Sequence, residues 1–178
     1  MSTDRGYIIR VLVADATHMG CQLMTSAFRR SSYRIGVVDS AINSEGVRVA
    51  FSKSSANIDV ALISCQLKDG ALAGLELIAE LRAMDANTRI ITLLNESERM
   101  LVVEAFRAGA SGILTREQSF EALCKCIYVV FQGQVWANAQ QMQFALDALT
   151  MTKLSADCPA PNSVLTQRQK SSPPNSLP

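Results

Sequence analysis

The sequence predicts a doubly wound α/β domain, built on a five-stranded parallel sheet and followed by one extra C-terminal helix. Short apolar runs rich in β-branched residues, typical of strands buried on both faces, alternate with segments of helical periodicity. Short loops join these segments, which favours right-handed βαβ units. Hydrophobic residues make up 48% of the 178 residues, enough for a domain core. We place this domain at residues 7–133.

The first half of the domain contains three strands and two helices. "YIIRVLVAD" is a continuous apolar run and is predicted as strand one. Apolar residues recur at helical spacing from Thr17 to Arg30, which predicts helix one. Strand two is "YRIGVVDS", a short helix covers Asn43 to Lys53, and strand three is "IDVALIS".

The second half continues the alternation. In chain order we predict helix, strand, helix, strand and helix for "ALAGLELIAELRAM", "TRIITLL", "SERMLVVEAFRAG", "SGIL" and "SFEALCKCIYVVFQG". Gly109 stands in the position of a helix C-cap, and Ser119 in that of an N-cap. Gly133 is expected to stop the last helix.

Two further segments follow the domain. Residues 134–150 are predicted to contain a linker helix, because Asn138 to Leu149 is amphipathic and Asn138 suits an N-cap. Residues 151–178 hold all five prolines and have no hydrophobic period. They are therefore predicted to form a disordered Pro/Ser-rich tail.

Composition excludes several classes of protein. The formal net charge of +1 gives no general attraction to nucleic acid or to an anionic membrane. No apolar run approaches the roughly 20 residues of a membrane span. The N-terminal "MSTDRGYIIR" lacks the apolar centre of a signal peptide, so we expect a cytoplasmic protein.

The cysteines are expected to be reduced thiols rather than metal ligands. They are odd in number, and no pair has C-x-x-C spacing. Residues i and i+2 of a helix do not face each other, and the chain has a single histidine. These observations argue against a metal–thiolate site at Cys21, Cys65, Cys124, Cys126 and Cys158.

The carboxyl ends of the strands are where a sheet of this class places its functional residues. At these ends the sequence has Asp15 and Ala16 after strand one and Ser64 at the end of strand three. Leu94 ends strand four, with Asn95 next to it, and Thr115 and Arg116 follow strand five.

Several segments together resemble a known family. They are "IRVLVAD", "DVALIS", "AGLELIAELRA", "TRIITLL", "VVEAFRAGASGIL", "SFEALCKCI" and "GQVWAN". They resemble the receiver domain of bacterial two-component response regulators, especially the LuxR/NarL (FixJ) branch, over roughly residues 8–149. The resemblance implies a CheY-like, flavodoxin-like (βα)5 fold. "LTQRQ" resembles the opening of the LuxR-type helix-turn-helix domain, but the likeness ends there, so we expect only a remnant of that domain in the tail.

The resemblance also implies a phosphoryl-transfer site, which this sequence matches poorly. In the family, an aspartate ending strand three accepts the phosphoryl group with help from Mg²⁺, two acidic residues, a hydroxyl and a lysine. Asp15 matches one acidic position and Ala16 stands at the second. Ser64 stands at the phospho-acceptor position, Leu94 at the hydroxyl position and Arg116 at the lysine position.

Each departure removes a definable function. Ser64 lacks the carboxylate that binds Mg²⁺ and forms the acyl phosphate, and no adjacent base activates its hydroxyl. Leu94 cannot hydrogen-bond a phosphate, and the Arg116 fork does not replace a compact ammonium group. We therefore expect no aspartyl phosphorylation, no bound metal or other cofactor, and loss of Mg²⁺ binding. Ser64 is expected to bond a backbone group, while Asp15 either bonds the loop after strand five or pairs with Arg116.

Three other residues have simpler interpretations. Asp69 is read as a turn residue before Gly70, since it lies too late to be the phospho-acceptor. His18 is expected to cap helix one or to face solvent. Trp136 is expected to pack the final helix onto the domain.

One surface is a candidate for protein contact. In the family, the face of strands four and five and helices four and five commonly forms a dimer contact or meets an effector domain. Here it would contain core residues or a constitutive interface, drawn from Leu101, Val102, Phe106, Tyr128 and Phe131.

The resulting functional hypothesis is a phosphorylation-independent receiver that regulates transcription by protein contact. It would form a homodimer, or a heterodimer with a related response regulator, without direct specific DNA binding or membrane contact. The alternative is a phosphoryl-accepting response regulator whose DNA-binding domain has been truncated. An enzyme or nucleotide binder is disfavoured, because "ADATHMGCQ" is not a glycine-rich phosphate loop and no nucleophile–base pair is visible.

Overall fold

The structure is a computed structural model, and it describes residues 6–54 and 57–156. The strands are β1 (Ile9–Ala14), β2 (Ile35–Ala41), β3 (Val60–Ser64), β4 (Arg89–Leu94) and β5 (Gly112–Thr115). The helices are α1 (His18–Arg30), α2 (Ser44–Ser54), α3 (Ala73–Met84), α4 (Arg99–Ala108), α5 (Phe120–Phe131) and α6 (Ala139–Ala156). Strands and helices alternate as the sequence predicted.

The strands form one parallel sheet in the order β2-β1-β3-β4-β5. Every neighbouring pair is parallel, as in the alignment of Leu12 with Ala61 and of Leu62 with Ile91. Parallel pairing brings the carboxyl ends of the strands to the same edge of the sheet. The predicted doubly wound fold is confirmed, and it fixes where the strand-end residues meet.

A hydrophobic core lies on each face of the sheet. Along β1, Leu12 and Ala14 pack with α2, α3 and α4, whereas Val11 and Val13 pack with α1 and α5. Because β1 and β3 are covered on both sides, nearly every residue in them is buried. This burial explains the continuous apolar runs in the sequence.

Helix ends follow the capping chemistry of the sequence. The Ser119 hydroxyl accepts a hydrogen bond from the Ala122 amide, 3.2 Å away, and caps α5. Gly109 ends α4 with φ of 102°, a left-handed conformation that favours glycine. Both predicted caps are confirmed. Helix α5 already ends at Phe131 with Gln132 as its cap, so Gly133, with φ of 87°, lies one residue beyond that cap.

Helix α6 is longer than predicted. Asn138 caps it as expected, accepting a hydrogen bond from the Gln141 amide at 2.7 Å. The helix then continues to Ala156, so the prediction that the disordered tail begins at residue 151 was wrong. Met, Lys, Leu and Ala are good helix formers, and no glycine or proline occurs between Ala139 and Pro159. Residues 157–178, with the "LTQRQ" remnant, lie outside the described residues.

Trp136 attaches the segment before α6 to the edge of the sheet. The Trp136 amide donates to the Ser111 carbonyl at 3.1 Å, and the Ile113 amide donates to the Trp136 carbonyl at 2.9 Å. Its side chain packs against the core between the sheet and helices α1 and α5. Trp136 therefore fixes the segment directly before α6 to the domain through β5.

Thr92 offers a test of the core. Its side chain is fully buried in β4, and its hydroxyl oxygen has no hydrogen-bond partner among the described residues. Valine has nearly the same shape without the unpaired hydroxyl. We expect Thr92→Val to raise the free energy of unfolding by about 1 kcal/mol. Urea denaturation followed by circular dichroism would measure it, and a destabilised variant would contradict this reading of Thr92.

Candidate functional site

Four strand ends meet at one edge of the sheet. Asp15 follows β1, Ser64 ends β3, Leu94 ends β4, and Arg116 follows β5. The parallel register carries each strand to this edge, and a hydrogen bond from the Arg116 amide to the Leu94 carbonyl, 3.0 Å long, closes the last pair. We call the group formed by Asp15, Ser64, Asn95 and Arg116 the strand-end pocket.

Arg116 connects the members of this pocket. Its Nη2 group donates to the Asp15 carboxylate in an ion pair, and also to the Ser64 hydroxyl at 2.8 Å. Its Nε group donates to the Asn95 side-chain oxygen at 3.1 Å. Three acceptors from three different strand ends are thus held by one planar guanidinium group, which a lysine ammonium could not span in the same way.

The Asp15 carboxylate is buried and fully engaged. Only 4% of the residue is exposed. One carboxylate oxygen accepts from Arg116, and the other accepts from the Thr17 amide at 3.2 Å and the Thr17 hydroxyl at 3.3 Å. Of the two alternatives that the sequence left open for Asp15, the structure contains the pair with Arg116.

Gly20 allows helix α1 to begin directly over Asp15. A Cβ atom at Gly20 would lie 2.2 Å from the Oδ1 atom of Asp15 and 3.1 Å from the Thr17 hydroxyl. The Thr17 hydroxyl caps the helix by accepting from the Gly20 amide at 3.0 Å. His18 is the first helical residue and faces solvent, which was one of its two predicted positions.

Ser64 is almost completely buried, with 1% of its surface exposed. The sequence led us to expect a backbone partner for its hydroxyl, and this was wrong, because the partner found is the Arg116 guanidinium. The guanidinium reaches it because β3 and β5 end at the same edge of the sheet. Ser64 therefore contributes an acceptor to the strand-end pocket.

Of the remaining predicted positions, Leu94 and Ala16 add no polar group to the pocket, whereas Asn95 does. Leu94 is fully buried in the core beneath α2, α3 and α4. Ala16 is partly buried and supplies only a methyl group. Asn95, which the sequence placed at a strand end without a role, accepts the hydrogen bond from Arg116. Its position directly after β4 was the signal that could have assigned it to the pocket.

The pocket does not fit a magnesium ion. Mg²⁺ requires several oxygen ligands in octahedral geometry, often two carboxylates with waters. The matched positions supply one carboxylate, Asp15, and Arg116 already neutralises it. Across residues 6–53 and 57–151, no cluster of three or more His, Cys, Asp or Glu side chains could hold a metal ion.

Asp69 has a structural role away from the pocket. Its carboxylate accepts from the Ser44 amide at 3.0 Å, at the first residue of α2. Burial acts to raise the pKa of the Asp69 carboxyl, but hydrogen bonds from Ser44, together with the backbone of Asp69 and the charge of Arg48, outweigh it and lower that pKa. Asp69 also lies within the turn between Leu67 and Gly70, as the sequence predicted.

The five candidate interface residues differ in how far their side chains are buried. Val102 is fully buried, so of the two alternatives that the sequence left open for these residues it is a core residue. Leu101 and Phe106 are partly buried and pack against the core together with Phe144 of α6. Tyr128 remains 40% exposed. Phe131 is partly buried and stacks on Tyr7, with ring centroids 5.7 Å apart.

The cysteines of the described residues behave as buried thiols. Cys21, Cys65, Cys124 and Cys126 are all buried and unpaired with one another by disulfides. Burial raises the pKa of the Cys124 thiol to about 11 and that of Cys126 to about 12. Both thiols therefore stay protonated at neutral pH, which disfavours nucleophilic chemistry. Cys158 lies outside the described residues.

No helix within the described ranges is long and apolar enough to cross a membrane.

Comparison with known proteins then adds an independent line of observation. Residues 11–128 match the response regulator receiver domain. The comparison with curated protein sequences gave no match.

Solved structures share the fold at low sequence identity. A LuxR-family response regulator from Aurantimonas sp. SI85-9A1 has 18% identity and a TM-score of 0.69, covering 81% of this chain and 99% of that one. A structure of RcsB dimers bound to DNA has 15% identity and a TM-score of 0.66, covering 79% and 69%. A CheX–CheY complex from Borrelia burgdorferi has 18% identity and a TM-score of 0.62, covering 69% and 89%.

These structural similarities concern the fold alone. The family match spans most of the sheet and its helices, and it includes β3, β4 and β5 with the strand-end pocket. The chain belongs to the response regulator receiver domain family.

Proposed function

We propose that this chain is a phosphorylation-independent receiver module that acts in signal transduction and transcriptional regulation through protein contacts. The observation that carries the proposal is the Arg116 guanidinium, which binds both Asp15 and the Ser64 hydroxyl at the family's phosphorylation edge. Its partner is a second copy of the chain or a related response regulator. On this proposal the chain is not an enzyme, acts in the cytoplasm, and does not itself bind specific DNA.

The chemistry of the pocket supports loss of phosphoryl transfer. A serine at the acceptor position cannot form an acyl phosphate, and its activation as a nucleophile would require an adjacent base. The hydrogen-bond partner of its hydroxyl is instead a guanidinium, which donates hydrogen bonds and cannot accept the hydroxyl proton. A donor molecule would also have to reach a side chain that is almost completely buried.

The same contacts support a fixed conformation of the pocket. In phosphorylated receivers, the added negative charge is balanced by a cation and a lysine. Here the negative charge of Asp15 and the positive charge of Arg116 already balance within the chain. Because these two charges balance each other, the pocket keeps its arrangement without phosphate. The contact surface of helices α4 and α5 would then be available constitutively.

Two structurally similar proteins are found in protein–protein assemblies, which supports a function through protein contact. One structural neighbour contains RcsB dimers bound to DNA, and another contains a complex of CheX with CheY. In this chain, Tyr128 of α5 and Met100 of α4 are exposed side chains on the helices of the face in question. They are the residues at which contact variants would be made first.

Sedimentation velocity over a concentration series tests this proposal. The chain is measured with and without acetyl phosphate and Mg²⁺, and the sedimentation coefficient at each concentration is compared. We expect a dimer, or a mixed dimer once a related response regulator is added, that is unchanged by the phosphate donor. An association that occurs only with the donor would overturn the proposal.

A further inference from the structure

The loop between β4 and α4 connects the strand-end pocket with helix α6. Asn95, at the beginning of this loop, accepts the hydrogen bond from Arg116 at 3.1 Å. Ser97, two residues later, accepts a hydrogen bond from the Gln141 side chain of α6 at 3.2 Å. The pocket and the linker helix are therefore joined through three consecutive residues, 95–97.

Gln141 is the key residue on the helix side. It is fully buried, and it forms a reciprocal cap with Asn138 at the start of α6. The Asn138 amide donates to the Gln141 side-chain oxygen at 2.9 Å, while the Gln141 amide donates to the Asn138 side-chain oxygen at 2.7 Å. Because the cap uses the side-chain oxygen of Gln141, its side-chain nitrogen is available to donate a hydrogen bond to the Ser97 hydroxyl. If Ser97 moved away, a buried amide group would lose its partner.

A second anchor for α6 lies next to the loop. The Arg99 guanidinium is 5.7 Å from the centre of the Phe144 ring and 3.7 Å from the Asp147 carboxylate. Arg99 is the first residue of α4, so it directly follows the same loop. The position of this loop therefore sets the positions of Ser97 and Arg99, the two residues that contact α6.

We propose that the Asp15–Arg116 pair controls the docking of α6 on α4 by holding Asn95 and, through the loop, Ser97. Only Glu96 separates Asn95 from Ser97, so their Cα atoms lie at most about 7 Å apart, and releasing Asn95 removes the nearest constraint on the backbone position of Ser97. When Arg116 releases Asn95, Ser97 loses its fixed position and α6 separates more readily from α4. The linker helix is thereby regulated by the pocket without phosphate.

This inference goes beyond the proposed function and can fail independently of it. The coupling concerns how firmly α6 is held, whereas the proposed function concerns phosphate and partners. A chain that accepts phosphate could still have the coupling, and a chain that ignores phosphate could lack it.

Hydrogen–deuterium exchange of the full chain, resolved by peptide, measures the docking of α6. Asn95→Ala removes the acceptor for Arg116 and leaves the Asp15 pair intact, while Ser97→Ala removes the acceptor for Gln141. We expect each variant to speed exchange in residues 141–149 about fivefold, the effect of one hydrogen bond of ordinary strength, relative to exchange in α1. The double variant should exchange no faster than Ser97→Ala alone, because both changes break the same connection.

Two further variants separate the coupling from general destabilisation. Arg116→Lys keeps a positive charge beside Asp15 but cannot reach three acceptors at once, so α6 should exchange as it does in Asn95→Ala. Arg48→Ala removes another exposed guanidinium bond, to Glu80, and should leave α6 unchanged relative to α1. Unchanged exchange of α6 in Asn95→Ala and Arg116→Lys, or additive effects in the double variant, would overturn the inference.

Discussion

Replacing Gly74 with alanine is expected to lower the free energy of unfolding by about 3 kcal/mol, the upper range for an overpacked site. A Cβ atom at this position would lie 1.9 Å from the Ser64 carbonyl oxygen and 2.9 Å from that of Cys65. Both are backbone atoms of the strand end and cannot rotate away. Helix α3 would have to shift outward, breaking the hydrogen bond from the Gly74 amide to the Cys65 carbonyl, now 2.9 Å long.

Gly70 provides a matched control for this change. It lies in the connection between β3 and α3, four residues before Gly74, but a Cβ atom there would meet only Ala73, at 3.4 Å from its Cβ and 3.8 Å from its amide nitrogen, which are ordinary contacts. Urea denaturation of Gly74→Ala and Gly70→Ala therefore compares the same chemical change with and without a clash. If the two variants were equally stable, α3 would not be packed as closely on Ser64 as the structure shows.

Replacing Arg116 with leucine is expected to lower the free energy of unfolding by about 2–3 kcal/mol. Removing one partner of a buried pair leaves the other charge uncompensated and typically costs about 3–5 kcal/mol. We discount that range because the Arg116 side chain is 39% exposed, although the Asp15 side chain is only 5% exposed. The Ser64 hydroxyl would lose its donor in the same variant.

A double variant distinguishes the charge from the shape of the side chain. In Asp15→Asn with Arg116→Leu, the unpaired charge is absent, so we expect at least half of the lost stability to return. Arg48→Leu, which breaks exposed ion pairs with Glu80 and Glu45, should leave the denaturation midpoint close to that of the unchanged protein. Chemical denaturation of all three proteins provides the comparison. A double variant as unstable as Arg116→Leu would mean that the ion pair is not what stabilises the pocket.

Much of the fold could be predicted because its signals are local. The buried strands read as continuous apolar runs, and the caps at Gly109, Ser119 and Asn138 depend on residues within one helical turn. The end of α6 was missed for a related reason. Its apolar period fades after Thr150, but propensity alone allows the helix to continue while no helix breaker intervenes. A hydrophobic period indicates which helix face packs against the domain, but it does not mark the residue at which the helix ends.

The pocket could be predicted only in part. Its positions followed from the strand ends and from the resemblance, and the pair of Asp15 with Arg116 was one of two alternatives. The bonds from Arg116 to Asn95 and from Gln141 to Ser97 join residues 21 and 44 positions apart, and no local pattern specifies them. The sequence left core and interface both open for Val102, because an apolar helix residue looks the same in sequence whether it faces the sheet or a partner.

Intact-mass spectrometry after incubation with acetyl phosphate and Mg²⁺ tests most directly whether this receiver works without phosphate. A receiver with an aspartate at the acceptor position, treated in parallel, shows that the donor is active. We predict that the mass of this chain stays unchanged while the control gains one phosphoryl group. A gain of one phosphoryl group by this chain, mapped by fragmentation to the strand-end pocket, would contradict the account.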